Sequence, residues 1–153
     1  MENMDTHESY VSPKVAKLLK EAGFDWKCPC HWGDGSKGDA ALIMPKKPVF
    51  YSNVFGDIAI EDEDWNHLER LNDNTYQVYS APSLDVAQRW LREVKGYFIY
   101  VEPLSKDNYR ISYICRELNG FTTKEFSTYE KAQEAGIKKC LKEDCITDKC
   151  SEE

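Results

Sequence analysis

A helical spacing of apolar residues opens the chain. Ser12 is a favourable N-cap, and Pro13 suits the first helical position because the amide hydrogen it lacks would have no partner there. The apolar residues that follow fall on one side of a helix and are Val15, Leu18, Leu19 and Ala22. Gly23 ends the pattern. We therefore predict a short amphipathic helix within 10–24, preceded by a polar, frayed N-terminus at 1–9.

A longer pattern, helix–strand–strand–strand–helix, covers 83–144. Ser83 caps a helix that ends at Gly96, and its predicted apolar side is Val86, Ala87, Trp90, Leu91 and Val94. Aromatic and β-branched residues predict one strand at 97–102, closed by Pro103, and a second at 109–116 after a turn at 105–108. On the second strand, Ile111, Tyr113 and Cys115 are predicted to share one face. Asn119-Gly120 is typical of a hairpin turn and predicts a third strand at 121–126.

The last helix is predicted from a capping box, with Ser127 at the cap and Glu130 three residues later. Its predicted inward stripe is Tyr129, Ala132, Gly136, Ile137, Cys140 and Leu141. The small residues Ala132 and Gly136 should let this helix lie close to the sheet. A polar tail is predicted at 145–153.

The segment 25–82 has no single periodicity. Its Gly- and Asp-rich stretch at 28–39 predicts a loop, and short strands are predicted at 41–44, 49–51, 57–60 and 76–79. The spacing of Trp65, Leu68 and Leu71 predicts a helical turn. Its many aromatic residues favour packing on the rest of the chain. The expected fold is one α+β domain over 1–153, an N-terminal helix followed by a helix–three-stranded antiparallel sheet–helix unit.

Composition argues against some classes of partner but indicates no particular function. The net charge is −7, and residues 1–80 carry 14 acids and 8 bases whereas 81–153 carry 13 acids and 12 bases. An acidic chain is a poor ligand for phosphate backbones, so nucleic acid is an unlikely partner. No apolar run is long enough to span a membrane, and no secretory signal pattern is present, so we expect a cytoplasmic protein with thiols in the reduced state.

The most suggestive local chemistry is Cys28-Pro-Cys-His31. Thiolate and imidazole groups bind zinc, but structural sites usually separate a cysteine pair by two to four residues and add a second pair downstream. Here one residue separates Cys28 from Cys30, so these two and His31 are weak metal candidates and unliganded residues are favoured. No nucleotide-binding, hydrolase or metalloprotease motif is present. We therefore predict no catalytic residues, no cofactor and no enzymatic activity.

The element order of 83–144 resembles that of the double-stranded-RNA-binding fold. That resemblance implies a basic cluster at the start of the last helix. In this chain only Lys131 is basic there, and Glu130 and Glu134 oppose it. Binding of double-stranded RNA is therefore an alternative and not the leading prediction.

Three stretches resemble a group of small uncharacterised proteins from gut bacterial genomes and their phages. They are Val11-Ser-Pro-Lys-Val-Ala-Lys-Leu-Leu-Lys-Glu-Ala-Gly-Phe24, Tyr79-Ser-Ala-Pro-Ser-Leu-Asp-Val-Ala-Gln-Arg-Trp-Leu-Arg-Glu-Val94 and Ser127-Thr-Tyr-Glu-Lys-Ala-Gln-Glu-Ala-Gly-Ile-Lys-Lys139. The resemblance implies an accessory protein of a phage or mobile element and brings no site residues with it. The leading prediction is a non-enzymatic protein that binds an unknown protein partner. If Trp26, Trp32 and Trp65 form an exposed patch, they are the candidate contact residues, whereas a buried set would exclude that interpretation.

Overall fold

A computed structural model describes residues 9–34, 40–43, 50–53, 56–59, 62–69, 72–73, 77–115, 118–122 and 124–151, with side chains described outside 34–61, 118–119 and 143–151. The helices are α1 (Pro13–Glu21), α2 (Leu84–Trp90) and α3 (Tyr129–Ser151), and a short 3₁₀ turn spans Trp65–His67. The strands are β1 (His31–Asp34), β2 (Ala40–Ile43), β3 (Phe50–Asn53), β4 (Gly56–Ala59), β5 (Val78–Ser80), β6 (Phe98–Ser105), β7 (Asn108–Cys115) and β8 (Leu118–Phe121).

The described elements form an α+β structure, as the sequence predicts. The strands pair into a sheet of order β2-β1-β5, a hairpin β3-β4 and a sheet of order β6-β7-β8, and every pairing is antiparallel. Within the described part of the chain, α2, β6, β7, β8 and α3 follow one another in the predicted order.

Helix α1 begins and ends where the sequence predicts. Ser12 Oγ accepts a hydrogen bond from the amide of Val15 at 3.3 Å. At the other end Gly23 has a φ of 96°, a left-handed conformation that glycine adopts without strain. The amide of Gly23 donates to Lys20 O and that of Phe24 donates to Leu19 O, the pattern of a Schellman cap. Phe24 is thereby turned into the core, where it is fully buried.

Helix α2 departs from its predicted apolar side at one residue. Ser83 Oγ caps it by accepting from Val86 N, and Gly96, with a φ of 74°, ends it. Between Leu91 and Lys95 the helix widens into a π-helical turn. A wider turn changes the angular spacing of the side chains. Val94 is therefore 53% exposed, and the prediction that it is buried was wrong.

Strand β6 continues through Pro103, which was predicted to close it. Pro103 is paired with Tyr109, and β6 is an edge strand of its sheet. An edge position tolerates proline because one side of the strand needs no amide donor. The pairing becomes irregular only between Pro103 and Ser105, just before the predicted turn.

The hairpin prediction at Asn119-Gly120 was wrong, because both residues lie inside β8. Gly120 is paired with Tyr113, and a Cβ on Gly120 would overlap the Tyr113 ring. The glycine therefore makes room for an aromatic ring and does not form a turn. Strand β8 ends at Phe121, so the third strand lies earlier than the predicted 121–126, and Phe126 keeps only an isolated bridge to Tyr109.

Helix α3 is capped one residue later than predicted. Thr128 Oγ1, and not Ser127 Oγ, accepts from the amide of Lys131 at 3.1 Å. The backbone stays helical to Ser151, so the predicted polar tail is part of the helix; no glycine or proline interrupts 145–151. The predicted inward residues Ala132, Gly136, Ile137, Cys140 and Leu141 are buried. Tyr129 was predicted to join them but is 43% exposed, with its ring edge-on to Tyr109.

One apolar core joins α1, α2, β6, β7 and α3. At its centre the rings of Phe24 and Trp90 meet edge to face, with centroids 5.3 Å apart. Gly136 lets α3 approach the sheet, since a Cβ there would lie 2.6 Å from Ile99 Cγ2. The approach of α3 to the sheet is therefore correctly predicted from the sequence.

The stretch 28–39 was predicted as a loop, yet His31–Asp34 forms the central strand β1. It pairs with β2 on one side and β5 on the other. Pairing on both sides outweighs the weak strand preference of a glycine- and aspartate-containing sequence. The strands predicted within 41–44, 49–51, 57–60 and 76–79 correspond to β2 to β5, with ends shifted by a residue or two. Leu71, from the predicted helical turn, lies outside the described residues.

Candidate functional site

The most unusual surface of the molecule is the outer face of the β6–β7–β8 sheet, the side turned away from α3. Residues alternate between faces along a strand, so the buried Ile99 and Ile111 point toward α3 and their neighbours point outward. The outward residues are Phe98, Tyr100 and Glu102 of β6, Arg110, Ser112 and Ile114 of β7, and Phe121 of β8. We call these seven residues the outer sheet face.

Pairing brings the outward residues into three rows. Phe98 lies opposite Ile114, and Tyr100, Ser112 and Phe121 lie side by side across the three strands. Phe98 is 38% exposed, Tyr100 49% and Phe121 70%. An aromatic side chain offers about 200 Å², so these three rings present roughly 300 Å² of apolar surface to solvent. An exposed apolar surface of that size on one face of a chain is often an interaction site.

The next row is polar and held in place. The Glu102 carboxylate accepts from Arg110 Nε and from Ser112 Oγ, each at 3.1 Å. These three residues and Phe121 line a shallow depression of about 220 Å³. The face therefore combines an aromatic surface with a fixed group that can accept hydrogen bonds. Its seven residues carry one acid and one base, so it has no net charge.

The two cysteines among the metal candidates predicted from the sequence belong to different hydrophobic clusters. Cys30 belongs to the main core, whereas Cys28 belongs to a smaller cluster with Trp65 and Val78. Burial raises the pKa of Cys28 to about 11, and its thiol donates to Cys30 O at 3.4 Å. Such a thiol holds its proton at neutral pH, which opposes metal ligation. Within the ranges that the structure describes, no three metal-ligating side chains lie close enough to hold an ion.

His31 is buried beside the Trp65 ring, with ring centroids 4.2 Å apart. Burial lowers the pKa of His31. Its Nδ1 makes no hydrogen bond in the described structure. His31 is therefore held as a neutral packing residue.

The three tryptophans lie in different surroundings and form packing contacts. Trp65 is buried, and its Nε1 donates to Cys28 O at 2.7 Å. Trp32 is partly buried, and its Nε1 donates to Val11 O at 2.8 Å. Trp26 packs against the main core beneath Arg89, whose guanidinium lies 5.7 Å from the ring centroid. Two of the indole N–H groups are bound to the backbone, and because Trp65 is buried the three residues do not form one exposed patch.

The outer sheet face was not identified from the sequence, although a signal for it is present. Large apolar residues follow one another without interruption where β6 begins, at Tyr97, Phe98, Ile99 and Tyr100. In a strand with one solvated face, apolar residues would instead alternate with polar ones. The contribution of Phe121 could not be assigned, because the predicted position of the third strand was wrong.

No protein-family model, no curated protein and no solved structure matches the chain. No helix among the described residues is both long and apolar enough to cross a bilayer. The longest, α3, bears lysines and acids along its length. The function is therefore inferred from the chemistry of the residues themselves.

Proposed function

We propose that this chain is a non-enzymatic binding protein that recognises another protein through the outer sheet face. The observation that carries the proposal is the set of three exposed aromatic rings, Phe98, Tyr100 and Phe121, on a sheet whose other side is covered by α3. Aromatic residues are enriched at protein interfaces because they bury a large area at a small cost in side-chain entropy. Phe121, the most exposed of the three, is the expected anchor.

The charge of the face favours a protein over a nucleic acid. A single strand that stacks its bases on aromatic rings also needs cations along its phosphates. Arg110 is the only base of the face, and Glu102 already neutralises it. A second copy of this chain is also disfavoured, since each copy carries −7. A partner that buries apolar side chains and donates a hydrogen bond to Glu102 fits the surface best.

The size of the anchor contribution follows from its exposed area. With 70% of about 200 Å² available, Phe121 can bury roughly 140 Å², worth up to about 3.5 kcal/mol at 25 cal/mol per Å². Ordering and desolvation reduce the net gain, so we expect Phe121→Ser to cost about 2 kcal/mol, or about thirtyfold in Kd.

The test begins with purified chain used as bait in a lysate of its source cells. Proteins retained by the wild type and lost with Phe121→Ser are identified, purified alone and titrated by calorimetry. Val94→Ser is the matched control, because Val94 is 53% exposed but lies on the π-helical turn outside the face. The proposal requires Phe121→Ser to weaken the purified complex at least about tenfold while Val94→Ser leaves its Kd unchanged.

Three outcomes would overturn the proposal. The first is that no retained protein depends on Phe121. The second is equal affinity of one purified partner for the wild type and both variants. The third is a dimer of this chain, seen by sedimentation at micromolar concentration and abolished by Phe121→Ser, which would assign the face to a second copy.

The accessory role in a phage or mobile element is part of this proposal and rests on the sequence resemblance. A cytoplasmic location belongs with it. The genes beside this one provide the test, since phage structural or anti-defence neighbours support the role and housekeeping neighbours oppose it.

Double-stranded RNA binding by the α2–β6–β7–β8–α3 unit is the second candidate. It is supported by the element order, which resembles that of the double-stranded-RNA-binding fold, and by Lys131 in the first turn of α3. A gel-shift assay with a duplex RNA at low salt decides it, because phosphate contacts are strongest there. The absence of a shift would exclude this candidate.

A further inference from the structure

A cleft of about 370 Å³ lies between the start of α1 and the first half of α3, on the helix side of the β6–β7–β8 sheet. Four lysines border it: Lys14 from α1, Lys124 from the segment before α3, and Lys131 and Lys138 from α3. Glu134 is the one acid among its lining residues. The cleft thus holds a local charge of +3 in a chain whose net charge is −7. A local excess of positive charge in an acidic chain requires an explanation.

Two of the lysines lie close to other positive charges. The proximity of Lys14, together with the charge of Lys142, lowers the pKa of Lys138. Lys14 also lies in the first turn of α1, at the positive end of the helix dipole, where a cation is unfavourable. Ammonium groups held together repel one another, and an anion placed between them would relieve that repulsion.

Two backbone amides at the start of α1 already have partners. The amide of Ser12 donates to Glu134 Oε1 at 2.8 Å, and that of Val15 donates to Ser12 Oγ. Glu134 is therefore partly occupied by the N-terminus of α1, and the groups left to meet an anion are the lysine side chains. Lysine ammonium groups are ordinary ligands for phosphate.

The floor of the cleft is apolar. It includes Val15, which is buried, and the half-buried ring of Phe126. Lys124 Nζ lies 5.6 Å from the centroid of that ring. An aromatic surface beside a cluster of ammonium groups suits a ligand that combines phosphates with a flat ring.

We propose that the cleft between α1 and α3 binds a nucleoside di- or triphosphate, with its phosphates on Lys14, Lys131 and Lys138 and its base against Phe126. A cleft of this volume accommodates a molecule of nucleotide size. The acidity of the rest of the chain disfavours a long polyanion, which would extend beyond the cleft. This site is separate from the outer sheet face and does not depend on the protein-binding proposal.

The test uses ATP as the probe, titrated into the full chain at 50 mM and 300 mM NaCl, with inorganic pyrophosphate and a duplex RNA in parallel. We expect ATP to bind at 50 mM NaCl, to weaken at the higher salt and to raise the melting temperature. Lys14→Gln combined with Lys138→Gln should weaken ATP at least tenfold. The control Lys106→Gln removes an exposed lysine from the β6–β7 turn and should leave the affinity unchanged.

Phe126→Leu distinguishes the nucleotide from its phosphates, since it should weaken ATP several-fold and leave pyrophosphate unaffected. The proposal is overturned if ATP does not bind at millimolar concentration, or if Lys106→Gln weakens it as much as the double variant does. If pyrophosphate binds as tightly as ATP, the cleft would be a site for phosphate groups alone and not for a nucleotide. If duplex RNA binds more tightly than ATP and its binding depends on Lys14, the ligand of the cleft would be a nucleic acid and not a nucleotide. The melting temperatures of the apo variants separate lost binding from unfolding, because removing the Lys14–Lys138 repulsion should not destabilise the fold.

Discussion

Gly136→Ala tests the close approach of α3 to the sheet at Ile99. A methyl group at this position would lie 2.6 Å from Ile99 Cγ2, far inside van der Waals contact. Ile99 cannot easily move away, because it is β-branched, 95% buried, and its carbonyl accepts from Gln88 Nε2 at 3.0 Å. Helix α3 is restrained as well, since Gln133 Nε2 donates to Asp85 at 2.7 Å and to Gln88 at 2.9 Å.

Two opposing effects determine the free energy of unfolding of this variant. Alanine is favoured over glycine inside a helix by about 1 kcal/mol. Forcing an extra methyl into a packed core costs about 1–3 kcal/mol, and the restraints on Ile99 and α3 place this case at the upper end. We therefore expect a net destabilisation of about 1–2 kcal/mol, or a loss of about 3–6 °C in melting temperature for a chain of this size.

Urea denaturation, followed by tryptophan fluorescence, measures this change, and a double-mutant cycle with Ile99→Leu identifies its cause. Leucine lacks the Cγ2 methyl group, so Gly136→Ala should cost at least about 0.5 kcal/mol less in the Ile99→Leu background. A Gly136→Ala chain more stable than the wild type would refute the reasoning, as would costs that are equal in the two backgrounds.

Three further predictions concern single residues. The pKa of the Cys28 thiol is about 11 in the folded chain and 9.0, its ordinary value, in the unfolded chain. The free energy of unfolding should therefore fall by about 2 kcal/mol between about pH 8 and 10.5. Cys28→Ala should remove that part of the fall. Burial lowers the pKa of His31, so the unfolded chain takes up the proton first and stability should fall as the pH drops below about 6.5; the urea midpoint of His31→Gln should depend less on pH there. Thr128→Ala should cost about 1 kcal/mol in a thermal melt and Ser127→Ala less than half of that, and the reverse order would restore the cap predicted from the sequence.

Features of the fold that depend on neighbouring residues could be predicted from the sequence. The start of α1 at Ser12, its end at Gly23 and the end of α2 at Gly96 each follow from the backbone preferences of one or two residues. The inward stripe of α3 follows from helical spacing alone. The glycine at 136 could be predicted because a small residue on the inward stripe of a helix serves mainly to let the helix lie close to the sheet.

Features that depend on distant partners could not be predicted. Strand β1 exists because β2 and β5 pair with it, and its own sequence resembles a loop. Asn119-Gly120 has the sequence of a hairpin turn, but the ring of Tyr113 across the strand is what requires the glycine. A local preference of about 1 kcal/mol or less is easily outweighed by pairing and packing.

The lysine cleft is the extreme case of a feature with distant partners, since Lys14 and Lys138 are brought together from the two ends of the chain. A partial signal was nonetheless present. Lys131, Lys138 and Lys142 follow one another at spacings of seven and four, which places them on one side of α3. The first turn of that helix has Lys131 as its single base, and the basic surface that Lys138 continues needs α1 for its completion.

The two proposed surfaces differ in position and in the forces that they use. The outer sheet face is apolar and has no net charge, so binding there should change little with salt. The cleft is basic and lies on the helix side of the same sheet, so binding there should weaken as salt rises. Because α3 and the sheet separate them, Phe121→Ser should leave ATP affinity unchanged, and the Lys14 and Lys138 substitutions should leave protein binding unchanged. Loss of both activities in either variant would mean that the substitution had disturbed the shared core around Ile99 and Gly136 and not a binding surface.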